Sequence, residues 1–319
     1  MSSSKPSTPD RSSSSSESST LKFSSSKSSS SRSSEDRTSD DRSSGTKVAP
    51  WSSSYRLVAA ERWKAKSALL GSAVTGALVE YARAIPGMKV IDLASGTGEP
   101  AITLGERVGL EGSVIALDQS AELLGIAAQR ARNKGLTNVI AQQADAHSLP
   151  FPDRSFDLAT CRFGVMFFAD AQGALGELRR VLRPNARACF AAWGTVEQPY
   201  WQTTMKVVQQ RVGGEMLAEG GANPFRFSAA GSLSEVLRAA GFHEVEESTR
   251  NLPWNWLGDA EEVFEYACAV SAPFRSMLER VPESLWPEIR AEAVAAIERY
   301  RVGDEIRFGA DIVFASGRA

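Results

Sequence analysis

An apolar strand, a loop of small residues and a helix start follow one another between Met88 and Pro100, in the sequence MKVIDLASGTGEP. Residues 90–93 are the kind found in a strand buried inside a parallel sheet. The small residues 95–98 let the backbone turn sharply and approach a ligand closely. Pro100 suits the first turn of a helix, where free amide N–H groups can face a ligand. This arrangement predicts a nucleotide-type cofactor site built largely from backbone.

A second predicted strand, residues 114–117, ends in Asp118, about 20 residues after Gly98. An acid at the tip of the second strand can accept hydrogen bonds from both ribose hydroxyls of a nucleotide. A glycine-rich loop alone is weak evidence for such a site. The loop together with a correctly placed ribose acid is much more specific.

Two cofactors are compatible with this loop. Residues 96–101, GTGEPA, satisfy the dinucleotide pattern G-x-G-x-x-(G/A), so an NAD(P)-dependent oxidoreductase is one alternative. S-adenosylmethionine (SAM) enzymes use a similar loop with an acid at the end of the first strand, where Asp92 stands. A carboxylate there would repel the two phosphates of a dinucleotide. SAM carries a sulfonium and an ammonium but no phosphate, so Asp92 favours SAM.

The chain resembles the class I SAM-dependent methyltransferases, in the broad group that contains the ubiquinone/menaquinone-type C-methyltransferases. The resemblance covers residues 88–194, about a third of the chain, and depends on segments that occur in the expected order and at the expected spacing. They are VIDLASGTG at 90–98, ALDQS at 116–120, ADAHSLPF at 144–151, FDLATCRFG at 156–164 and ELRRVLRPNAR at 177–187.

The resemblance implies a set of cofactor-binding residues. The loop at 94–98 would enclose the methionine and ribose parts, and Asp118 would hold the ribose hydroxyls. Asp145 would accept from the adenine amino group, the backbone N–H of Ala146 would donate to the ring, and a carbonyl at 161–162 would accept from the methionine ammonium. The implied set is Asp92, Ala94, Ser95, Gly96, Gly98, Asp118, Gln119, Asp145, Ala146, Cys161 and Arg162.

Two positions depart from the family pattern. The usual first glycine is Ala94 here, so we expect a negative φ at that residue. The usual Pro-Gly-Gly after the fourth helix is Pro184-Asn185-Ala186, and Asn185 tolerates a left-handed turn. Neither change removes a chemical group, so we expect cofactor binding to survive.

No catalytic residue is predicted. In-line methyl transfer depends on alignment and dehydration more than on acid–base groups. His147 lies near the relevant loop, but it is as well placed to be a neighbour of the adenine. The predicted activity is methyl transfer to an O, N or activated C atom of a small apolar or aromatic acceptor. A binding protein that holds SAM without catalysis is a further alternative.

Composition excludes other classes of function. The 319 residues carry a formal net charge of −2, which gives no electrostatic reason to expect a nucleic-acid partner. No run approaches the roughly 18 apolar residues of a membrane span. The three cysteines and two histidines lack metal-ligand spacing, so no metal is expected. No apolar secretory segment is present at the N-terminus, and a cytoplasmic location is expected.

Residues 1–47 differ from the remainder of the chain, because roughly half of them are serine and large apolar side chains are almost absent. Such a segment cannot bury enough apolar surface to offset the entropy of ordering. We therefore expect a disordered tail at 1–47 and a methyltransferase domain at 48–319. A phosphorylated tail, a transit peptide and an RNA contact are the alternatives for this segment.

Alternating strand and helix patterns predict an α/β fold with a doubly wound, mostly parallel seven-stranded sheet, the Rossmann-like methyltransferase fold. Ligands on such sheets bind beyond the carboxyl ends of the strands. Aromatic-rich interruptions at about 195–230 and 251–304 predict a helical cap. Trp254 and Trp256 are two residues apart, so in an extended segment both would face one side, and we expect that side to face the acceptor pocket.

Overall fold

Strands of one sheet form the centre of the computed structural model, which describes Lys66 and residues 69–319. The predicted tail at 1–47 lies outside the described residues. The strands are β1 (Lys89–Leu93), β2 (Ser113–Asp118), β3 (Val139–Gln143), β4 (Phe156–Arg162), β5 (Leu182–Trp193), β6 (His243–Leu257), β7 (Arg301–Val302) and β8 (Glu305–Arg318).

The strand order is β3-β2-β1-β4-β5-β8-β6, and the two-residue β7 pairs with β8. Strands β1 to β5 are parallel, whereas β8 lies antiparallel between β5 and β6. The mostly parallel, doubly wound sheet predicted from the sequence is confirmed.

Helices connect the strands and cover the sheet. They are α1 (Ser72–Ala82), α2 (Ala101–Val108), α3 (Ala121–Asn133), α4 (Ala171–Val181), α5 (Pro199–Thr203), α6 (Met205–Val212), α7 (Ser232–Ala239), α8 (Ala260–Val270), α9 (Arg275–Leu278) and α10 (Trp286–Glu298). The start of α3 is stabilised by the Ser120 hydroxyl, which accepts the N–H of Leu123. No helix of the described region is long and apolar enough to cross a membrane.

Strand β1 lies at the centre of the core, between β2 and β4. Its residues Val90, Ile91 and Leu93 are fully buried, as the apolar pattern predicts for a strand covered on both faces. The strand therefore holds the loop that follows it in a fixed position at the carboxyl edge of the sheet.

Strand β6 is longer than the sequence predicts, and this moves the boundary of the second interruption. We predicted that this interruption begins at about residue 251. Instead β6 continues to Leu257, and Pro253 pairs with Gly309 of β8. A proline within a run argues against a strand, but an edge strand tolerates it because its outer side forms no ladder. The second interruption therefore begins after Leu257.

Candidate active site

A cavity of about 870 Å³ lies at the carboxyl ends of the parallel strands. Its wall comes from the loops that follow β1, β2, β3 and β4, together with two residues of α8. The volume falls within the roughly 300–1,000 Å³ that is typical of small-molecule sites. The structure thus places a cavity where the strand order predicts ligand binding.

The loop after β1 is bonded directly to the tip of β2. The backbone N–H of Gly96 donates to Oδ2 of Asp118 at 2.8 Å, and the N–H of Ser120 donates to Oδ1 at 2.9 Å. Each carboxylate oxygen keeps a further lone pair to offer. Asp118 is therefore held at the cavity wall in a fixed orientation and can still accept hydrogen bonds from a ligand.

Ala94, at the first position of this loop, has φ +53°. Our expectation of a negative φ at this residue was wrong, because the chain must reverse direction immediately after β1. An alanine in the left-handed region costs about 1–2 kcal/mol. Gly164 accommodates the extra methyl group, since a Cβ at residue 164 would lie 2.4 Å from that of Ala94. The prediction for Asn185 is confirmed, with φ +64°.

Asp92 lies beneath the loop and does not form part of the cavity wall. Its fully buried carboxylate accepts hydrogen bonds from the hydroxyls of Ser95 and Thr160, both at 2.6 Å. Burial raises the pKa of Asp92 from 3.8 to about 7. The structure therefore corrects the sequence-based role: this carboxylate supports the loop instead of reaching a ligand in the cavity.

Asp145 and His147 form a second polar region of the wall. The backbone N–H of His147 donates to Oδ1 of Asp145 at 2.9 Å, and its Nδ1 lies 2.7 Å from the same oxygen. These bonds, the backbone one foremost, lower the pKa of the Asp145 carboxyl. Asp145 is therefore kept ionised, with Oδ2 unused by His147. Ala146 and Gln119 lie on the same wall.

Two other predicted residues do not line the cavity. Cys161 is fully buried, and burial raises the pKa of its thiol far above the usual value, so it is no nucleophile at neutral pH. Gly98 donates its N–H to the carbonyl of Ser95 at 2.8 Å. A Cβ at residue 98 would lie 2.7 Å from Cδ1 of Ile102, so the absence of a side chain at Gly98 lets the loop pack against α2.

Arg162 does form part of the wall through its side chain. Its Nη1 donates to the Thr75 hydroxyl at 2.8 Å and to the Gly71 carbonyl at 3.2 Å, which joins the end of β4 to the start of α1. Burial lowers the pKa of the Arg162 guanidinium. The sequence predicted a role only for the backbone here, and the side chain was missed.

Aromatic side chains that sequence reasoning did not assign to the site cover one part of the cavity. They are Phe163, Phe167, Phe168 and Tyr266. Phe163 stacks on Trp193, with ring centroids 4.7 Å apart and an angle of 14° between the planes. The three phenylalanines follow β4 directly, so the motif F-G-V-M-F-F was the available signal. Tyr266 comes from α8, and only the tertiary fold brings it there.

The prediction for Trp254 and Trp256 was half right. They do share one side of β6, but neither lines the cavity. Trp254 packs against Trp193 at 4.8 Å and Phe163 at 6.0 Å between ring centroids, and Trp256 against Tyr266 at 5.0 Å. Both indoles are buried core groups, and they support the aromatic wall from behind.

The charge of the wall is predominantly negative. Among the described residues, Arg162 is the only lysine or arginine on it, against the four acids Glu99, Asp118, Asp145 and Asp170. Such a wall suits a ligand with positive groups and would repel the two phosphates of a dinucleotide. The described part of the chain contains no group of histidine, cysteine and acidic residues that could hold a metal ion. The site thus fits SAM better than a nicotinamide dinucleotide.

The doubly wound sheet and the acidic cavity at its carboxyl edge are the features expected of a SAM-dependent methyltransferase. The model of the ubiE/COQ5 methyltransferase family matches residues 75–250, more than half of the chain, and the chain belongs to this family. The resemblance drawn from the sequence motifs is therefore confirmed.

Curated relatives agree with this assignment. The chain is 31% identical over 179 residues to the ubiquinone/menaquinone biosynthesis C-methyltransferase UbiE of Shewanella frigidimarina, covering 53% of this chain and 71% of that protein. It is 44% identical over 113 residues to the 2-phytyl-1,4-naphtoquinone methyltransferase of Synechococcus elongatus, covering 35% of this chain. The chain spans 48% of the length of the Synechococcus protein and 44% of the length of the UbiE protein of Xanthomonas oryzae.

A solved structure shares the fold. The YcgJ protein from Bacillus subtilis superposes with a TM-score of 0.51 and 20% sequence identity, over 76% of this chain and 97% of YcgJ. At this level of identity the likeness concerns the architecture alone.

Proposed function

We propose that the chain transfers the methyl group of SAM to a ring carbon of a small quinone-type acceptor in its reduced, quinol form, with S-adenosylhomocysteine and the proton of that ring carbon as the other products. The observation that carries this proposal is the origin of the residues on one cavity wall: Asp118 and Asp145 come from the ends of β2 and β3, whereas Phe163 and Tyr266 come from the segment after β4 and from α8. We call the first pair the acidic part and the second pair the aromatic part of the cavity. The acidic part suits a cationic nucleoside, and the aromatic part suits a flat apolar ring.

The cofactor is assigned to the acidic part of the cavity. In this proposal Asp118 accepts hydrogen bonds from the ribose hydroxyls, and the loop at 94–98 encloses the methionine. Asp145 accepts from the adenine amino group through the oxygen that His147 leaves unused. The N–H of Ala146 contacts the adenine ring, Gln119 lies beside the ribose, and a carbonyl at 161–162 receives the ammonium.

The acceptor is assigned to the aromatic part. Phe163 and Phe167 come from the segment after β4, while Tyr266 and Val270 come from α8. The insertion after Leu257 thus contributes to the cavity wall, and we propose that it forms the acceptor side of the cap. The names of the UbiE and 2-phytyl-1,4-naphtoquinone methyltransferases support a quinone-type ring and a carbon acceptor atom.

The contribution of the protein to the reaction is alignment and exclusion of water. Bound SAM would supply an electrophilic methyl group on its sulfonium. The aromatic wall and α8 hold the acceptor ring against that methyl group and shield both from solvent, which lowers the entropic part of the barrier. His147 is bonded to Asp145 at the proposed adenine end, so we do not assign it as a base.

Incubation of the full chain with methyl-labelled SAM and a panel of acceptors tests this function. The panel contains naphthoquinols and benzoquinols with one unsubstituted ring carbon, together with simple phenols and amines. We expect label in a quinol product and a new carbon-bound methyl group in its NMR spectrum. Methylation of only oxygen or nitrogen would contradict the assigned acceptor atom.

Binding measurements separate the remaining alternatives. Calorimetry with SAM and with NADH should show binding of SAM alone. SAM affinity without turnover on any acceptor would indicate a binding protein and contradict the proposed catalysis. NADH affinity in the absence of SAM affinity would contradict the assigned cofactor.

A further inference from the structure

Among the described residues, the cavity wall carries one lysine or arginine side chain. It belongs to Arg162, and four carboxylates occupy other positions. SAM carries a carboxylate on its methionine part as well as two positive groups. Coulomb repulsion disfavours that carboxylate beside Asp118 or Asp145 and favours it beside the guanidinium.

The protein uses only one nitrogen of this guanidinium. Nη1 has two partners on α1 and the residue before it, Thr75 and Gly71. Nε is buried and has no hydrogen-bond partner, and no hydrogen bond joins Nη2 to another described residue. Nε and Nη2 form the edge of an arginine that pairs with a carboxylate through two parallel hydrogen bonds.

The guanidinium also lacks a paired acid. No described carboxylate lies within ion-pair distance of Arg162, and Glu99 and Asp92 act on its charge only from further away. Burying a cation without a bonded anion is costly, whereas a bound carboxylate offsets that cost. The site is therefore electrostatically incomplete until a ligand occupies it.

The start of α1 makes space for the side chain. A Cβ at Gly71 would lie 2.6 Å from Nη1 of Arg162. Gly71 has φ −91°, which any residue adopts, so its backbone conformation does not require glycine. The guanidinium occupies the space that a side chain at residue 71 would need.

We propose that Arg162 binds the methionine carboxylate of SAM through its Nε–Nη2 edge, with α1 holding Nη1. This assignment rests on the proposed function, because it takes SAM as the occupant of the cavity. It places the cofactor carboxylate against a side chain of β4, in addition to the backbone carbonyl that the family resemblance implied.

Two nucleosides that differ only in the carboxylate test the assignment. S-adenosylhomocysteine and its decarboxylated analogue are titrated into the full chain by calorimetry. We expect the wild type to bind S-adenosylhomocysteine about 10–100-fold more tightly than the decarboxylated analogue, which is the usual contribution of charge-assisted hydrogen bonds to affinity. In Arg162→Met the ratio should fall to about 1, with the affinity for the decarboxylated analogue changed by less than about threefold.

Three further variants keep the test independent of folding defects in Arg162→Met. Gly71→Ala retains the charge but displaces Nη1, and Thr75→Val removes one of its acceptors, so each should reduce the ratio in part. Arg162→Lys retains the charge but lacks the pair of parallel N–H donors, so it should also reduce the preference for S-adenosylhomocysteine.

If Arg162→Met still prefers S-adenosylhomocysteine over the decarboxylated analogue as strongly as the wild type does, the assignment is wrong. If that variant instead raises the KM for the acceptor at an unchanged ratio, the guanidinium binds an acceptor oxygen, and the assignment is again wrong. If the wild type binds neither nucleoside, the proposed SAM site fails and this assignment falls with it. A normal affinity of the wild type with no preference between the two nucleosides would contradict only the role of Arg162.

Discussion

The carboxylate of Asp118 accepts the backbone N–H of Gly96 at 2.8 Å, so the tip of β2 and the loop after β1 are held as one unit. The same carboxylate accepts the N–H of Ser120, where α3 is about to begin. Two motifs that are separate in the sequence therefore share a single charged group. A change at Asp118 should alter both the proposed ribose contact and the loop geometry.

Asp118→Asn should weaken SAM binding by about 1–3 kcal/mol, because it removes charge-assisted hydrogen bonds and turns one acceptor oxygen into a donor. Calorimetry with SAM measures the change. Glu106→Gln is a matched control, since Glu106 is an exposed acid that is paired with Lys134 and does not line the cavity. Equal affinities in wild type and Asp118→Asn would remove Asp118 from the ribose site.

Asp145→Asn should reduce the preference of the site for adenine. An ionised Asp145 accepts from the exocyclic amino group, whereas the amide can also donate to a 6-oxo base. We expect the wild type to prefer S-adenosylhomocysteine over S-inosylhomocysteine by about tenfold or more, and the variant to lose most of this preference. Competition binding of the two nucleosides gives the ratio. An unchanged ratio would place the base elsewhere.

Asp92 should make the stability of the protein depend on pH. Its pKa in the folded state is raised from 3.8 to about 7, so the folded state holds the proton more tightly. The contribution of protonated Asp92 to the free energy of unfolding is therefore fully present below about pH 4 and is lost as pH rises through about 7. Asp92→Asn cannot ionise, so relative to wild type it should gain about 2–3 kcal/mol between pH 5 and pH 8.

Urea unfolding of both proteins at pH 5 and pH 8 measures this difference. Glu106→Gln is again the control, because Glu106 is an exposed acid outside the core. If the difference between wild type and Asp92→Asn is the same at both pH values, Asp92 does not titrate in this window.

Trp254→Ala should destabilise the fold by about 3–5 kcal/mol, as expected for truncation of a buried tryptophan. The indole packs on Trp193, Tyr200 and Phe163, and only the last of these forms part of the cavity wall. Trp254→Phe keeps an aromatic ring there and should lose much less stability. Unfolding free energies from urea titrations compare the two. A stable Trp254→Ala with impaired turnover would restore Trp254 to the acceptor pocket.

Gly164→Ala should destabilise the protein by about 1–3 kcal/mol through overpacking. A Cβ at residue 164 would lie 2.4 Å from Cβ of Ala94 and 2.8 Å from Sγ of Cys161. The double variant Ala94→Gly/Gly164→Ala removes the first clash and should recover part of the loss, which a double-mutant cycle measures. Strictly additive effects would show that the two residues do not interact.

Local patterns were sufficient for most of the sheet, and the family resemblance indicated the acids at the carboxyl ends of its strands. The alternation of strands and helices predicts β1 to β5, and parallel strands bring their carboxyl ends to one edge, so Asp118 and Asp145 were expected near one another. The aromatic part was not predictable in this way. Tyr266 lies on a helix far along the chain, and no local period indicates which face of α8 meets the cavity.

The sequence by itself determined the alternation of strands and helices, the glycine-containing loop after β1 and the acids that follow the predicted strands, because these depend on short-range apolar patterns and turn residues. Only the tertiary structure decided which side chains have room and partners. The packing placed Asp92 beneath the loop, put Trp254 into the core and turned the guanidinium of Arg162 into the cavity. These outcomes depend on neighbours that are distant in the chain, such as Thr160, Trp193 and Gly71.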